Sequence, residues 1–459
     1  MGRARCLHTR VCRIAVLATI VSLTASCGTR LQQSAFTTPK PLGTVAPDSS
    51  TTEPAGHNSD VGVTASTIKL GLIVSKTSPL GAETFSASMY GAEAFVDALN
   101  ASGGVNGRRI DLIVCDDGAT GAGNRRCVNS LIDNDKIFAF VGNSIFDYAG
   151  AAYVDEKGVP DVGGQPISSA YDKYKHLWSI YGTSSPREGT VGWGGKLSGG
   201  TEVYRYFAKA LNVKTAGVVA YNQADSLRFA NYAVKGLELE GYTVVREQVD
   251  FAVPSWDAAA IDMRSRGVDI VFDALDSAGN VSLCNAMDAA GLVVKAKAVT
   301  VQAWNETVHT DFAKAPKCRN ALYATATSRN YMDIDDVTIA RFRTEMRAAF
   351  PDRENKLSMW ELEGWAGAQW LADAMTSCAT ALTRVCVERF LSRSQPYDGH
   401  GVLTPRDFVV VPSPPPTDHN CLFAAHWEDG AYDGAGGWVT STADKAAACF
   451  DVSNVLYTP

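Results

Sequence analysis

The chain lacks the means to span a bilayer, to attract nucleic acid or to run a familiar hydrolysis. Its longest apolar run, IAVLATIVSLTA at 14–25, would be about 18 Å long as a helix, short of the ~20 residues that cross a hydrocarbon core. Acids outnumber bases, 49 Asp and Glu against 42 Lys and Arg, so a net charge of −7 offers a phosphate backbone no general attraction. No Gly-x-Ser-x-Gly elbow, His-Glu-x-x-His pair or Gly-x4-Gly-Lys-Ser/Thr loop occurs, and His176, His309, His400, His419 and His426 are scattered. An enzyme is therefore not expected, nor is a cofactor. The absence of any Cys-x-x-Cys pair argues against a structural zinc module, and no metal is expected. What the chain does have is 459 residues, 46% of them hydrophobic, enough for a sizeable core, and eleven cysteines. Eleven is high for a reduced protein, and an odd number cannot all pair.

The N-terminus accounts for the odd one. Arg3, Arg5, Arg10 and Arg13 precede the apolar run without an intervening acid, the order of a secretory signal. Thr24, Ala25, Ser26 and Cys27 resemble a bacterial lipobox, in which the cysteine is lipidated on sulfur and becomes the new N-terminus. Cleavage before Cys27 would remove four arginines and no acid, taking the net charge from −7 to −11, and would also remove Cys6 and Cys12. With Cys27 given to lipid, an even set remains: Cys115, Cys127, Cys284, Cys318, Cys378, Cys386, Cys421 and Cys449. Eight cysteines allow about 105 connectivities. Pairing of sequence neighbours is the most economical.

Residues 27–65 are rich in Ser, Thr, Pro and Gly and cannot repay their ordering entropy, so they read as a flexible tether. Beyond them, runs of β-branched and aromatic residues at 68–74, 109–115 and 137–141 read as strands, interleaved with helical patterns at 90–99, 126–132 and 148–156. The alternation restarts with strands at 216–221, 243–249, 269–272 and 298–301 and helices at 228–239, 257–264 and 280–290. Two α/β units imply two sheets, with 182–189 as a crossover. Helical patterns return at 337–350 and 359–377, where Trp360, Trp365 and Trp370 fall on different sides and read as packing. From 402 onward there are only short extended runs.

The segments STIKLGLIV, GAEAFVDALNASGGVNGRRIDLIVCDDG, IFAFVGN and GVPDVGG, in this order, resemble the type I periplasmic binding proteins of the leucine/isoleucine/valine-binding class, substrate-binding components of ABC importers. The most specific piece is 100–110, where Gly103, Gly104 and Asn106-Gly107 supply the turns between helix and strand. The resemblance implies two Rossmann-like lobes with parallel-sheet cores and a three-crossover hinge. Lobe 1 would take 66–184 and 328–403, lobe 2 185–327 and 404–459. It also implies a small-molecule ligand, permease and ATPase partners, a monomer, and a lipid-anchored place on the outer face of the cytoplasmic membrane. A sensor ectodomain on the same fold is the alternative, with a secreted enzyme third.

Ligands of such sheets bind beyond the carboxyl ends of the strands. That places Ser78, Asn143, Ser144, Gly164 and Gln165 at the site from the first lobe and Asp225, Ser226, Asp276 and Gln302 from the second. By the resemblance, Asp225 and Asp276 stand where amino-acid binders have tyrosines and Gln302 where they have a glutamate. Two acids in a cleft favour a cationic or polyhydroxylated ligand. Each residue also has a plainer reading: Asn143 and Ser144 as caps of the next helix, Asp225 and Asp276 as helix N-caps. Phe85 and Phe146 either stack on a ligand or belong to the core.

Overall fold

Five short parallel strands, β1 (Thr67–Val74), β2 (Arg109–Asp116), β3 (Ala139–Val141), β4 (Asp161–Gly164) and β5 (Leu177–Ser179), form a first sheet in the order β2-β1-β3-β4-β5. The computed structural model that defines them describes residues 60–78, 83–165, 167–299 and 301–459, without the side chains of residues 83, 84, 225 and 302. The leader and Cys27 lie outside the described residues. Residues 60–65, expected in the tether, instead pack on this first lobe: Val63 is buried, and Asp60 Oδ2 accepts the Arg384 amide at 2.9 Å. Main-chain bonds complete the attachment: Lys69 N donates to Gly62 O and Thr64 N to Thr67 O, each at 2.8 Å, and Arg108 Nε donates to Thr64 O at 3.0 Å.

The second sheet follows in sequence: β6 (Leu197–Gly200), β7 (Thr215–Tyr221), β8 (Thr243–Val249), β9 (Ile270–Ala274), β10 (Ala296–Val299), β11 (Leu322–Ala326), β12 (Thr417–Glu428), β13 (Gly437–Val439) and β14 (Ala448–Tyr457). Its order is β6-β14-β12-β11-β10-β9-β7-β8, with β13 on β12. Strands β7 to β11 are mutually parallel; β12, β13, β14 and β6 add an antiparallel flank. This flank is the main departure from the sequence expectation. The C-terminal part holds strands of 12 and 10 residues, not merely short runs. β12 opens on four polar residues, Thr417 to Asn420, and then runs apolar from Cys421 to Ala425, so it shows no period-2 alternation.

The chain passes between the two sheets three times, at 180–196, 327–336 and 392–416. The crossovers are laced together: Val411 N bonds Ser184 O at 3.0 Å, and Arg329 N bonds Val402 O at 2.7 Å. After the second crossing, helices Val337–Ala349 and Met359–Ser377 return to the first lobe and pack on helix Glu83–Ala101. Helix Met359–Ser377 is buried along nearly its whole length and starts with a capping box, Ser358 and Glu361. Two of its three tryptophans are packing groups: Trp365 meets Phe95 and Phe342, and Trp370 stacks on Tyr397 and Phe408.

The close approach of these helices requires glycine. A Cβ on Gly364 would stand 2.0 Å from the Ser88 carbonyl oxygen, and one on Gly91 would stand 1.9 Å from that of Glu361. Strand β4 is reached in the same way, since a Cβ on Gly163 would lie 2.4 Å from the Cα of Gly367.

All eight cysteines pair as sequence neighbours: Cys115 with Cys127, Cys284 with Cys318, Cys378 with Cys386, and Cys421 with Cys449. Each bond ties two adjacent elements, the last joining β12 to β14 at directly opposed residues.

Two outcomes follow from this packing. Gly364→Ala forces two helix backbones apart and should cost about 3 kcal/mol or more in urea unfolding, beyond ordinary overpacking because the atom met is backbone. Alkylation of the native protein followed by mass analysis should modify none of the eight cysteines before reduction; a stoichiometric adduct on any of them would contradict the pairing.

Candidate functional site

The loops that leave the carboxyl ends of the strands are fixed from below by buried polar groups. In the first lobe Asp161, at the start of β4, accepts three hydrogen bonds on Oδ2: from Tyr148 at 2.7 Å, Tyr171 at 2.9 Å and Asn143 at 3.0 Å. Asn143 Oδ1 in turn accepts the Ile73 amide at 2.7 Å, tying the loop after β3 to β1. Burial pushes the Asp161 carboxyl up to about 6, against the pull of its three donors. Asp117 does the same for the loops after β1 and β2. It accepts from Ser75 Oγ at 2.8 Å, the Ala119 amide at 2.9 Å and Asn124 at 3.1 Å, while Ser75 Oγ accepts the Phe146 amide at 3.0 Å.

The second lobe uses a buried ion pair. Lys297, on β10, donates to Asp273 at the end of β9, to Asn280 Oδ1 at 2.7 Å and to the Ala298 carbonyl at 3.1 Å. Asp273 also accepts the Leu275 amide at 3.0 Å and Asn280 at 3.1 Å. A lysine this deep needs such a set of partners. The effect is to fix the turn from β9 into helix Ser277–Ala290, where Asp276 sits.

Asn143 and Ser144 are wholly buried and cap no helix; the next helix, Ala151–Glu156, has Gly150 at its N-cap. Ser144 Oγ donates to Gln165 Oε1 at 3.2 Å, and Gln165 Nε2 donates to Glu363 Oε2 at 3.1 Å. Gly164 is the last residue of β4 rather than part of the loop, and a Cβ there would run into the Tyr171 hydroxyl at 1.6 Å. Ser78 is half-buried at the end of the described stretch after β1. Asp225 is the second residue of helix Ala224–Leu239, whose N-cap is Gln223, so it is not the cap; its side chain and that of Gln302 lie outside the described residues. Ser226 Oγ donates to the Ala274 carbonyl at 2.6 Å and accepts the Tyr221 amide at 2.8 Å, joining the ends of β7 and β9. Asp276 is the N-cap of its helix, accepting Gly279 N at 2.8 Å and the Tyr221 hydroxyl at 2.9 Å on the same oxygen.

The strand-end loops of the second lobe face helix Glu83–Ala101 and the start of helix Met359–Ser377 of the first across a cavity of about 380 Å³. Ser277, Val301 and Asn305 line it from the second lobe and Ala87, Lys356 and Trp360 from the first. Ser277 and Val301 are the immediate neighbours of Asp276 and Gln302. In the second lobe these wall residues adjoin the expected Asp276 and Gln302, while Ser78, Asn143, Ser144, Gly164 and Gln165 of the first lobe are not among the described residues that line the cavity. Lys356 is not among the expected site residues and Trp360 reads from the sequence as packing; both enter with the turn and helix that follow the second crossover. Phe85 is buried and Phe146 is 47% exposed; the two rings meet edge to face, and Phe85 lies against Trp360. The lobes also touch beside the cavity: Glu306 N bonds Leu357 O, and Met359 N bonds Trp304 O, each at 3.0 Å.

The raised Asp161 carboxyl has a signed consequence. In the folded protein it holds its proton to about pH 6, in the unfolded chain only to its ordinary range near 3.8. Its contribution to stability is therefore full below pH 3.8 and is lost as pH rises to about 6, roughly 3 kcal/mol in all. In urea titrations the wild type should lose about that much relative to Asp161→Asn between pH 4 and 6.5; a constant difference would show that Asp161 does not titrate there.

The model of the family described as periplasmic binding protein matches residues 67–430. No curated protein sequence matches the chain. Solved structures share the fold at low identity. The branched-chain amino acid transporter substrate-binding protein LivJ of Streptococcus pneumoniae, in complex with isoleucine, is 16% identical; the match covers 82% of this chain and 100% of that one, with a TM-score of 0.59. The fatty acid ABC transporter substrate-binding protein of Thermomonospora curvata is 17% identical over 84% of this chain and 95% of its own, with a TM-score of 0.60. A solute-binding protein of an ABC transporter from Rhodopseudomonas palustris, in complex with 3,4-dihydroxybenzoic acid, is 15% identical over 84% and 98%, also at 0.60. With two lobes, three crossovers and a family match that runs from β1 into the antiparallel flank, this chain belongs to the periplasmic binding proteins, a family that binds solutes rather than transforming them.

Proposed function

We propose that the protein captures a small polar ligand, an amino acid or an amide-like molecule, between its lobes and delivers it to the permease and ATPase of an ABC importer. The observation that carries this reading is the cavity walled by strand-end loops of the second lobe and, from the first, by helix Glu83–Ala101 and the start of helix Met359–Ser377. At about 380 Å³ it suits a ligand of amino-acid size. Lys356 and Asp311, beside the mutually paired Arg353 and Glu361, bring charges of both signs to its wall, as a zwitterion requires, and Ser277, Asn305 and Thr307 add hydroxyl and amide groups. Val301 and Trp360 offer apolar surface to a side chain.

A ligand that touches both lobes stabilises the closed arrangement by its differential affinity for that state, and by nothing else. In this reading Cys27 carries the lipid that holds the chain at the outer face of the cytoplasmic membrane, and the protein works as a monomer. One similar structure holds isoleucine, while others are of a fatty acid binder and of a complex with 3,4-dihydroxybenzoic acid; the charged and polar wall favours an amino acid as the first class to try.

A thermal-shift screen of the whole chain against amino acids and small amides tests the proposal. A cognate ligand at 100 times its Kd should add about 2.7 kcal/mol of stability. The same ligand should also reduce the radius of gyration in small-angle scattering. No stabilising compound in these classes, or a stabilising one that leaves the radius unchanged, would overturn it.

A further inference from the structure

Side chains from two of the three crossovers end on one buried carboxylate, and the third crossover sets an arginine nearby. Glu363, wholly buried in helix Met359–Ser377, accepts the Tyr181 hydroxyl at 3.0 Å from the first crossover and the Ser328 hydroxyl at 3.0 Å from the second. From the third, the buried Arg406 guanidinium acts on it through its charge. Arg406 Nη2 reaches the Thr327 carbonyl at 3.4 Å, while Nε and Nη1 have no hydrogen-bond partner among the described residues. The fourth neighbour is Gln165, which Ser144 holds in the loops of the first lobe.

We propose that Glu363 is the positioning residue through which the first-lobe ligand loops and the three crossovers move as one. This rests on the reading of the protein as one that opens and closes about its crossovers. Rotation of the lobes shifts the crossovers against helix Met359–Ser377, so it cannot leave the bonds to Tyr181 and Ser328 both in place. A ligand that reorients Gln165 alters the fourth bond to the same carboxylate.

The coupling has a charge dependence. The titratable or charged groups facing Glu363 are Tyr181 from the first crossover and Arg406 from the third; the second crossover and the residue after β4 present only the neutral Ser328 and Gln165. Burial pushes Glu363 up to about 7 despite its donors and Arg406, and burial likewise brings Arg406 down to about 10. A raised carboxyl binds its proton more tightly in this enclosed arrangement than in any arrangement that lets water reach it. Protonation therefore favours the enclosed arrangement, and ionisation favours parting of the crossovers.

Hydrogen exchange with mass readout on the whole, ligand-free chain between pH 6 and 8.5, corrected for intrinsic rates, tests this. Peptides covering 180–196, 327–336 and 392–416 should lose protection together above pH 7, by about tenfold per pH unit, the slope of a single proton. The amides of Glu306 and Met359, which bond across the lobes, should follow. Glu363→Gln should hold the pH 6 protection throughout. Tyr181→Phe, which keeps the carboxylate and removes one donor, should loosen all three crossovers and not the first alone. The inference is overturned if Glu363→Gln keeps the wild-type pH response, if the wild type has none, or if Tyr181→Phe affects only its own crossover. No ligand enters the measurement, so a failed ligand screen leaves the inference standing, and a found ligand beside a flat pH response defeats the inference alone.

Discussion

The first lobe is organised around a contact between two helix backbones with no side chain between them. Helix Met359–Ser377 can lie against helix Glu83–Ala101 because Gly91 and Gly364 remove the atoms that would keep them apart, and against β4 because Gly163 and Gly367 do the same. An element that returns from the other lobe is thereby seated at the centre of this one. Its buried surface is apolar on most sides, so the acids it brings with it have to be answered locally. Glu361 is answered by Arg353 at 2.7 Å and by the Ser358 cap, Glu363 by Gln165, Tyr181 and Ser328. The glycine contact thus determines where the crossovers can be gripped.

Both lobes spend buried polar groups on the same task, the ends of the strands. Asp161 and Asp117 in one and the Lys297–Asp273 pair in the other sit just beneath loops that carry no regular structure of their own. Such groups are costly to bury, and apolar replacements of similar volume often serve stability as well or better. What they supply here is position: each ends on a main-chain amide or on the side chain of a loop residue, so the loop is set before any ligand arrives. The two lobes reach this by different chemistry, hydroxyl donors on a carboxylate in one and a lysine salt bridge in the other.

Some of this was legible in the sequence, for identifiable reasons. The alternation of strand and helix is carried by periodicity and survives at β1, β2, β7, β8 and β9 within a residue or so. The sequence pattern places helix starts late, as at Glu83 and Ala224, because their first turns hold mostly small or polar residues, with Phe85 a lone large apolar side chain that does not by itself mark a face. The N-cap role of Asp276 follows from local chemistry and could be stated in advance, whereas Asp225 looked equivalent and sits inside its helix. Glu363 was missed although its signal was present: Glu361 and Glu363 stand in an otherwise apolar helix beside Gly364 and Gly367, a pattern that calls for buried partners. Those partners lie on other elements, up to 198 residues away in the case of Gln165, and no local pattern names them.

The same buried bonds bear on which side chains are left to recognise a ligand. Asn143 is spent on β1 and Asp161, Ser226 on the ends of β7 and β9, and one oxygen of Asp276 on its own helix and Tyr221. An acid whose acceptor is already shared between an amide and a hydroxyl has less to offer a cation than its position at a strand end suggests. The expectation of a cationic ligand drawn from Asp225 and Asp276 therefore loses part of its footing. Lys356 and Ser277, by contrast, lie on the cavity wall. In this fold polar residues at strand ends are claimed first by the scaffold.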